Sequence, residues 1–314
     1  MTNSQKAPEQ ETEPREAPAA PADEAEPVRE AGPRPGRPTL WVLGLTALAA
    51  LGGVLYSLYR LTGMADGLDQ TGVMILALSL FSPIIVAAYA GAVAGLVAPR
   101  LVKGPRKAVA ALGFTVTGLA TATAAYLLFQ VDGAIALTLG LILLGSALAG
   151  GLIALPRHPL PVAAGLWATL LLLVFMFARG LLESSIELSN DPLEEYGILG
   201  RYAPFLMGLV CGLCAFLYLW KRKGRTKMLG YLLAGALPGG IWLACTVVAQ
   251  IGVEVLIGVG VDELSFLDEG YLALAFQTQY NGSMTAMFVG AFCSVLAYGL
   301  LLPKPPKAKA AKSS

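Results

Sequence analysis

Four charged side chains near the ends of long apolar runs are the residues of this sequence most able to do chemistry. Arg179 and Glu183 are four positions apart, so a helix would place them on one face. Arg201 and Glu254 lie in similar settings further along the chain. Together these side chains predict a polar site on the outer face of a membrane protein. The alternative is an ordinary exposed ion pair of Arg179 with Glu183, which would contribute little.

Proline and glycine interrupt two of the apolar runs. Pro238 lies among Gly235, Gly239 and Gly240 in "LLAGALPGGIWLAC", and Pro83 lies in "LFSPIIVAAYAG". Proline removes a backbone donor, and the carbonyl groups freed at a helix break can bind a ligand without any charged side chain. These residues therefore predict helix breaks or hinges. Glycine and proline are also tolerated in unbroken membrane helices, which is the alternative.

The depth of these residues follows from the helix rise of 1.5 Å per residue. Pro238 is about 16 Å from Lys227, close to the middle of a bilayer, and Pro83 is about 25 Å from Arg100. Glu254 is about 40 Å from Lys227 and reaches the outer headgroups. No ionisable side chain is left near the middle, which disfavours a proton or ion pathway and favours a neutral or lipid-like substrate.

The sequence lacks the signatures of metal sites and enzymes. Cys211, Cys214, Cys245 and Cys293 all lie in apolar runs, where a small buried hydrophobe is the ordinary interpretation. The CxxC spacing of the first two has no second pair and no nearby histidine, so it is a weak zinc or redox signal. The HExxH, GxSxG, P-loop and GxGxxG patterns are absent, and His158 is the only histidine. We therefore predict no metal, no cofactor and no enzymatic activity.

The composition predicts an all-α polytopic membrane protein. The 314 residues are 56% hydrophobic and 14% charged, with a mean hydropathy of +0.66, whereas soluble domains carry about 25% charge. Several apolar runs reach the roughly 20 residues that a helix needs to cross a bilayer. The eight predicted spans are 40–59, 72–97, 108–129, 133–155, 160–182, 202–220, 228–260 and 284–302.

The charged residues are segregated to the two sides of the predicted bundle. Fourteen of the 17 bases beyond residue 38 lie in "RLVKGPRK", "PRHP", "KRKGRTK" and "KPPKAKAAK", after the second, fourth, sixth and eighth spans. All 13 acids beyond residue 38 lie in the other linkers or at the helix ends beside them. Because lysine and arginine are retained in the cytoplasm, this pattern predicts that both termini are cytoplasmic.

Three regions follow from this organisation. Residues 1–38 hold eight acids, five bases and eight prolines, and they predict a disordered cytoplasmic tail. Residues 39–303 form the eight-helix transmembrane domain, and 304–314 form a basic cytoplasmic tail. The run 228–260 is either one tilted helix or a helix followed by interfacial structure. The linker 262–283 predicts a short helix on the outer surface.

Small residues recur at a spacing of four in the helices that run towards the basic linkers. Such pairs predict close helix packing. The similarity of "AVAGLVAPRLVKGPRKAVAALG" to "ALAGGLIALPRHPLPVAAGLW" leaves open whether four helical hairpins arose by duplication. The pairs are Gly91 and Gly95, Ser146 and Gly150, Gly208 and Gly212, and Gly290 and Ser294.

Two functions remain open. Eight spans, a proline near the middle and a charge-poor interior are typical of a permease for a neutral or lipid-like substrate. Small-residue helix faces and a disordered tail equally suit a non-catalytic partner or scaffold subunit of a larger membrane complex, or a homo-oligomer. Either protein has the lipid bilayer as a partner and needs no nucleic acid. The alanine-rich and glycine-rich composition predicts the plasma (inner) membrane of a bacterium.

Overall fold

The protein is helical throughout the part of the chain that its structure describes. This computed structural model describes residues 35–62, 70–129, 132–153, 155, 158–183, 192–222, 226–260 and 265–301. No strand occurs within these ranges. The helices are α1 (Arg37–Thr62), α2 (Gln70–Ser79), α3 (Phe81–Leu101), α4 (Arg106–Leu128), α5 (Gly133–Ile153), α6 (Pro159–Glu183), α7 (Pro192–Lys221), α8 (Met228–Gly260) and α9 (Phe266–Leu301).

Eight stretches of these helices are long and apolar enough to cross a membrane. The prediction of an all-α polytopic membrane protein with eight spans is therefore confirmed. α2 and α3 together make the second span, Gly72–Leu101, which is interrupted by a turn at Leu80. The two predicted tails, 1–38 and 304–314, lie outside the described residues, apart from the residues that start α1.

α8 is the central helix of the bundle. It packs against α2, α3, α5, α6, α7 and α9. Its 33 residues form one continuous helix of about 48 Å, so the seventh run does not end in separate interfacial structure. This length exceeds the roughly 30 Å of a hydrocarbon core, so α8 must tilt in a membrane or extend beyond the hydrocarbon.

α9 differs from the sequence prediction. It is one helix of 36 residues, so the predicted short surface helix in 262–283 and the predicted span start at residue 284 are both wrong. Two polar residues of this stretch, Gln279 and Tyr280, are hydrogen-bonded to α8. The Trp242 Nε1 atom donates to Gln279 Oε1 at 2.7 Å, and the Tyr280 hydroxyl donates to Gln250 Oε1 at 3.0 Å.

α3 is enclosed by its neighbours on nearly all sides. Every residue from Pro83 to Leu96 is buried except Ala94, as expected for a helix that is apolar all round. Tyr89 is fully buried, and its hydroxyl lies 3.3 Å from the Thr46 Oγ1 atom of α1. This single polar contact pairs a hydroxyl that would otherwise be costly to bury.

Glycines allow α3 and α5 to approach each other closely. A Cβ atom built on Gly91 would overlap the backbone of Ala147, and one built on Gly150 would overlap the backbone of Ala88. Backbone contact of this kind is how membrane helices pack when water supplies no hydrophobic drive between them. Two of the predicted small-residue pairs therefore lie at one helix interface.

The eight spans form two halves with the same internal contacts. In the first half α1 packs on α3, and α3 and α4 both pack on α5. In the second half α6 packs on α7, and α7 and α8 both pack on α9. Because each half contains four spans, the halves run in the same direction, as in parallel repeats related by an axis along the membrane normal. The contacts thus relate four-span halves, a larger unit than the hairpin considered from the sequence.

The second span of each half carries proline and glycine at matching positions. Pro83 and Pro204 each lie 17 residues before the basic residue at the end of their span, Arg100 and Lys221 respectively. In each span a glycine follows the proline by eight positions and packs against the fourth span of the same half. These two glycines are Gly91 and Gly212.

Basic residues fasten the start of α1 to the ends of α3 and α7. The Arg100 Nη2 atom donates to the Pro35 carbonyl at 3.3 Å, and the Arg222 Nη2 atom donates to Thr39 Oγ1 at 2.8 Å. The Tyr218 hydroxyl donates to the same threonine oxygen at 3.2 Å. We call this end of the bundle, marked by Thr39, Arg100 and Arg222, the basic end, and the other the opposite end.

Candidate functional site

The chain interrupts its second span between α2 and α3. The Leu80 N–H donates to the Ala77 carbonyl at 3.4 Å in a tight turn, and the Ile84 N–H donates to the Leu80 carbonyl at 3.0 Å. Pro83 lies in the first turn of α3, where the missing N–H of proline is tolerated. Since Pro83 cannot donate one turn back, the Ser79 carbonyl lacks the partner that a continuous helix would supply.

A cavity of about 550 Å³ lies beside this interruption, between α1, α2, α3 and α6. The part of its wall contributed by α1 lies about 20 to 30 Å from Arg37 along the helix, so the cavity is in the half of the bundle nearer the opposite end. The wall consists of Ala50, Gly53, Val54, Ser57, Leu58, Leu78, Ser79, Ser82, Pro83 and Phe177. We call it the serine-lined cavity.

Three hydroxyl groups supply the side-chain polarity of this cavity. Ser57, Ser79 and Ser82 are exposed, so the cavity is open to the surroundings of the bundle. The Ser79 hydroxyl donates to the Leu76 carbonyl at 2.8 Å, while the other two hydroxyls have no partner among the described residues. The cavity can therefore hydrogen-bond a neutral polar group, and the described part of its wall offers no charge to an ion.

No group of three or more potential metal ligands occurs among the described residues. The described residues of the wall of the serine-lined cavity include no carboxylate, amine, imidazole or thiol. No family model, curated protein or solved structure matches this chain.

The structure places the second predicted break, at Pro238, inside a continuous helix. α8 passes through Pro238, which is buried, and Gly235 and Gly239 pack against α9. A Cβ atom on Gly235 would overlap the backbone of Gly290, whereas one on Gly240 would meet no atom within 4 Å. Close helix packing thus accounts for part of this motif, and its role as a hinge stays a prediction. Of the two prolines, Pro83 is the one at a chain interruption.

The predicted outer polar site falls largely outside the described side chains. Arg179 and Glu183 belong to α6 and Arg201 belongs to α7, but the side chains of these three residues lie outside the described part of the structure. Glu254 is exposed near the end of α8, and its Oε1 atom accepts a hydrogen bond from Gln250 Nε2 at 3.4 Å. A joint site of these residues stays a prediction.

Sequence reasoning missed the serines of the cavity. Ser79 and Ser82 flank the interruption beside Pro83, so a search for hydroxyl groups next to a proline in an apolar run would have found them. Ser57 and Phe177 come from α1 and α6, and nothing local in the sequence marks them. Their place in the wall depends on which helices pack together.

The hydrogen bond between α8 and α9 gives a prediction about stability. Trp242 is 5% exposed, so Gln279→Leu leaves a buried indole N–H without its acceptor. We expect the free energy of unfolding, measured by denaturant titration in mixed micelles, to fall by about 1 kcal/mol, because hydrogen bonds between membrane helices contribute about 0.6 kcal/mol on average and an orphaned donor costs more. Gln277→Leu, at an exposed position of the same helix, should change it by less than about half as much. Equal losses would contradict this assignment.

Proposed function

We propose that this protein is a permease-like membrane protein that binds and moves a neutral, lipid-like substrate through the serine-lined cavity. The observation that carries the proposal is the pairing of hydroxyl groups, two of them without a partner among the described residues, with a described wall that carries no charged side chain. A polar but uncharged headgroup would be hydrogen-bonded there, and an apolar tail would extend through the opening into lipid. An ion would find no compensating charge, and burying it would be costly.

The interruption at Leu80 supports a gating role for α2. α2 packs on α8 and has few contacts with α3, although the two helices belong to one span. Backbone that is not helical at membrane depth is tolerated where it is buried or lines a cavity, and such breaks serve as hinges in transporters. Rotation of α2 about Leu80 would move Leu78 and Ser79 relative to the rest of the wall, which would open or close the cavity.

A non-catalytic membrane partner or scaffold subunit is the second candidate function. α9 exposes Phe288 and Phe292 on one helix face, each 66% exposed, and Leu300 near its end is 81% exposed. Such a face suits a partner helix or a second copy as well as lipid. Crosslinking in native membranes, followed by purification in mild detergent, tests this candidate. Migration as a single uncomplexed chain under both conditions would count against it.

The membrane and the topology are also proposed. Both termini face the cytoplasm of a bacterial cell, the protein spans the plasma membrane, and it uses no cofactor and catalyses no reaction. The segregation of basic residues into alternate linkers supports this orientation. Reporter fusions after residues 130 and 225 test it, with the first expected outside the cell and the second expected inside.

Lipid transport in reconstituted vesicles tests the main proposal. We expect the full chain to move a fluorescent glucosylceramide, whose headgroup is polar but carries no charge, between leaflets about tenfold faster than in protein-free vesicles, which corresponds to lowering the barrier by about 1.4 kcal/mol. Fluorescent phosphatidylglycerol, which has a charged headgroup, should move between leaflets only slightly faster with the protein than without it. The measurement is the rate at which dithionite gains access to the probe. The same rate for neutral probes with and without protein would contradict the proposal.

A further inference from the structure

A second recess lies between α6 and α7, at the basic end of the bundle and away from the serine-lined cavity. Its volume is about 400 Å³, and its wall is formed mainly by apolar side chains of the two helices. Leu171 contributes from α6, and Leu213, Cys214 and Leu217 contribute from α7. We call this recess the α6–α7 groove. Nothing in the proposed transport function uses it.

Two hydrogen-bond donors stand in the part of the groove nearest the basic end. Lys221 is the exposed last residue of α7 and forms no ion pair with another described residue. The indole N–H of Trp167 is buried and has no hydrogen-bond partner in the described structure. Tyr218 stacks on Trp167 with the ring centroids 6.5 Å apart, and it precedes Lys221 by about 4.5 Å of helix rise. The Trp167 ring therefore lies beside Tyr218, which is about one helical turn deeper than Lys221.

The neighbouring cation is already engaged. Arg222 donates to Thr39 Oγ1 at 2.8 Å, and its guanidinium carbon lies 5.8 Å from the centre of the Tyr218 ring. These contacts fasten it to α1 and to the groove wall. Among the described residues that line the groove, Lys221 is consequently the cation able to bind an anion at its mouth.

We propose that the α6–α7 groove binds one anionic phospholipid from the leaflet at the basic end. The Lys221 ammonium binds the phosphate, and the Trp167 indole donates to an ester carbonyl, which lies deeper in a bilayer than the phosphate. The upper part of one acyl chain follows the apolar wall between Leu171 and Leu213. The groove extends from Lys221 to Val210, about 16 Å along α7, which gives the chain an enclosed path.

Charge complementarity selects a lipid over a second copy of this chain. All 13 acids beyond residue 38 lie in or beside linkers of the opposite end, so a second copy in the same orientation brings no carboxylate from its membrane domain to Lys221. An anionic headgroup in the adjacent leaflet is attracted by about 1 kcal/mol per lysine near the surface. The cation and the deeper indole ring match the order of phosphate and ester in a phospholipid.

Protection of a cysteine in the groove tests this proposal. Cys214 lines the groove and is half-buried, and the half-buried Cys293 of α9 serves as an internal control. In the full chain in detergent, the rates at which N-ethylmaleimide alkylates both thiols are measured by peptide mass spectrometry. Phosphatidylglycerol should protect Cys214 at a concentration about fivefold to tenfold lower than phosphatidylcholine, the preference expected from one cation at an anionic headgroup. The rate at Cys293 should not change.

Two variants distinguish binding of the lipid in the groove from a general attraction of anionic lipid to the basic end. Lys221→Gln should abolish the preference for phosphatidylglycerol, whereas Lys227→Gln, at an exposed position outside the groove, should retain it. Equal loss in both variants would overturn the proposal. Equal protection by the two lipids in the unaltered chain would also overturn it, and this arm needs no variant to fold. If Cys214 is already protected in protein whose lipid extract contains no phospholipid, a part of the chain itself occupies the groove, which overturns the proposal as well.

Discussion

Gly239→Leu should prevent this protein from accumulating as a folded bundle, whereas Gly240→Leu should leave it intact. A Cβ atom on Gly239 would overlap the backbone of Met287 on α9, so the backbones of the two helices would have to separate. A Cβ atom on Gly240 would meet no atom within 4 Å. Overpacking a tight core commonly costs about 1 to 3 kcal/mol, and a contact between backbones leaves no flexible side chain to yield. We therefore expect the Gly239 variant to lie at or above the top of that range.

The measurement is the fraction of monodisperse protein and its midpoint of thermal unfolding in mild detergent. The two variants carry the same side chain at adjacent positions of one helix, so hydrophobicity and insertion are matched. Similar midpoints for both would show that α8 does not present Gly239 to α9 as the structure has it. A lower fraction of monodisperse protein in both variants would indicate a defect of membrane insertion. The fraction of membrane-integrated protein measures such a defect directly.

This pair of glycines also shows the limit of what the sequence could predict. The eight spans could be predicted from the sequence because hydropathy and the position of basic linkers are properties of consecutive residues. Which of Gly239 and Gly240 meets a neighbour depends on the rotation of α8 about its axis, which no local pattern encodes. The early start of α9 was missed for a similar reason, since Gln279 and Tyr280 look like linker residues until α8 supplies their partners.

The candidate site also contains some residues that the sequence could predict and others that depend on how the helices pack. Pro83 was singled out from the sequence, because a proline within an apolar run breaks the hydrogen-bond pattern wherever the helix lies. Ser57 belongs to the site only because α1 packs beside α3, which no local sequence pattern shows. Pro238 illustrates the converse, because the same chemical feature sits in a helix that neighbouring contacts hold continuous. A proline therefore marks a position where the helix can be interrupted, and tertiary packing determines whether the interruption occurs.

The two halves of the bundle use corresponding helices for the two recesses. The serine-lined cavity lies between the first and second spans of the first half, with Phe177 of α6 completing its wall. The α6–α7 groove lies between the first and second spans of the second half. The proline of the second span interrupts the helix at Pro83 but lies inside a continuous helix at Pro204. In the first half the interruption lies beside three serine hydroxyls, whereas the described wall of the α6–α7 groove carries no serine, so the recess of the first half suits the proposed transport function better.

Filling the serine-lined cavity should abolish lipid transport without destabilising the bundle. Gly53 lines the cavity and a Cβ atom on it would meet no atom within 4 Å, so Gly53→Phe can place its ring in the empty space. Gly52 is equally unobstructed and exposed, but it does not line the cavity, so Gly52→Phe is the matched control. In vesicles with equal amounts of inserted protein, we expect the rate for neutral fluorescent lipids to fall about tenfold in the Gly53 variant, equivalent to about 1.4 kcal/mol of barrier, and to stay within about twofold of the unaltered chain in the Gly52 variant. An active Gly53 variant would show that substrate does not pass through this cavity, because a side chain that occupies the space cannot share it with a headgroup.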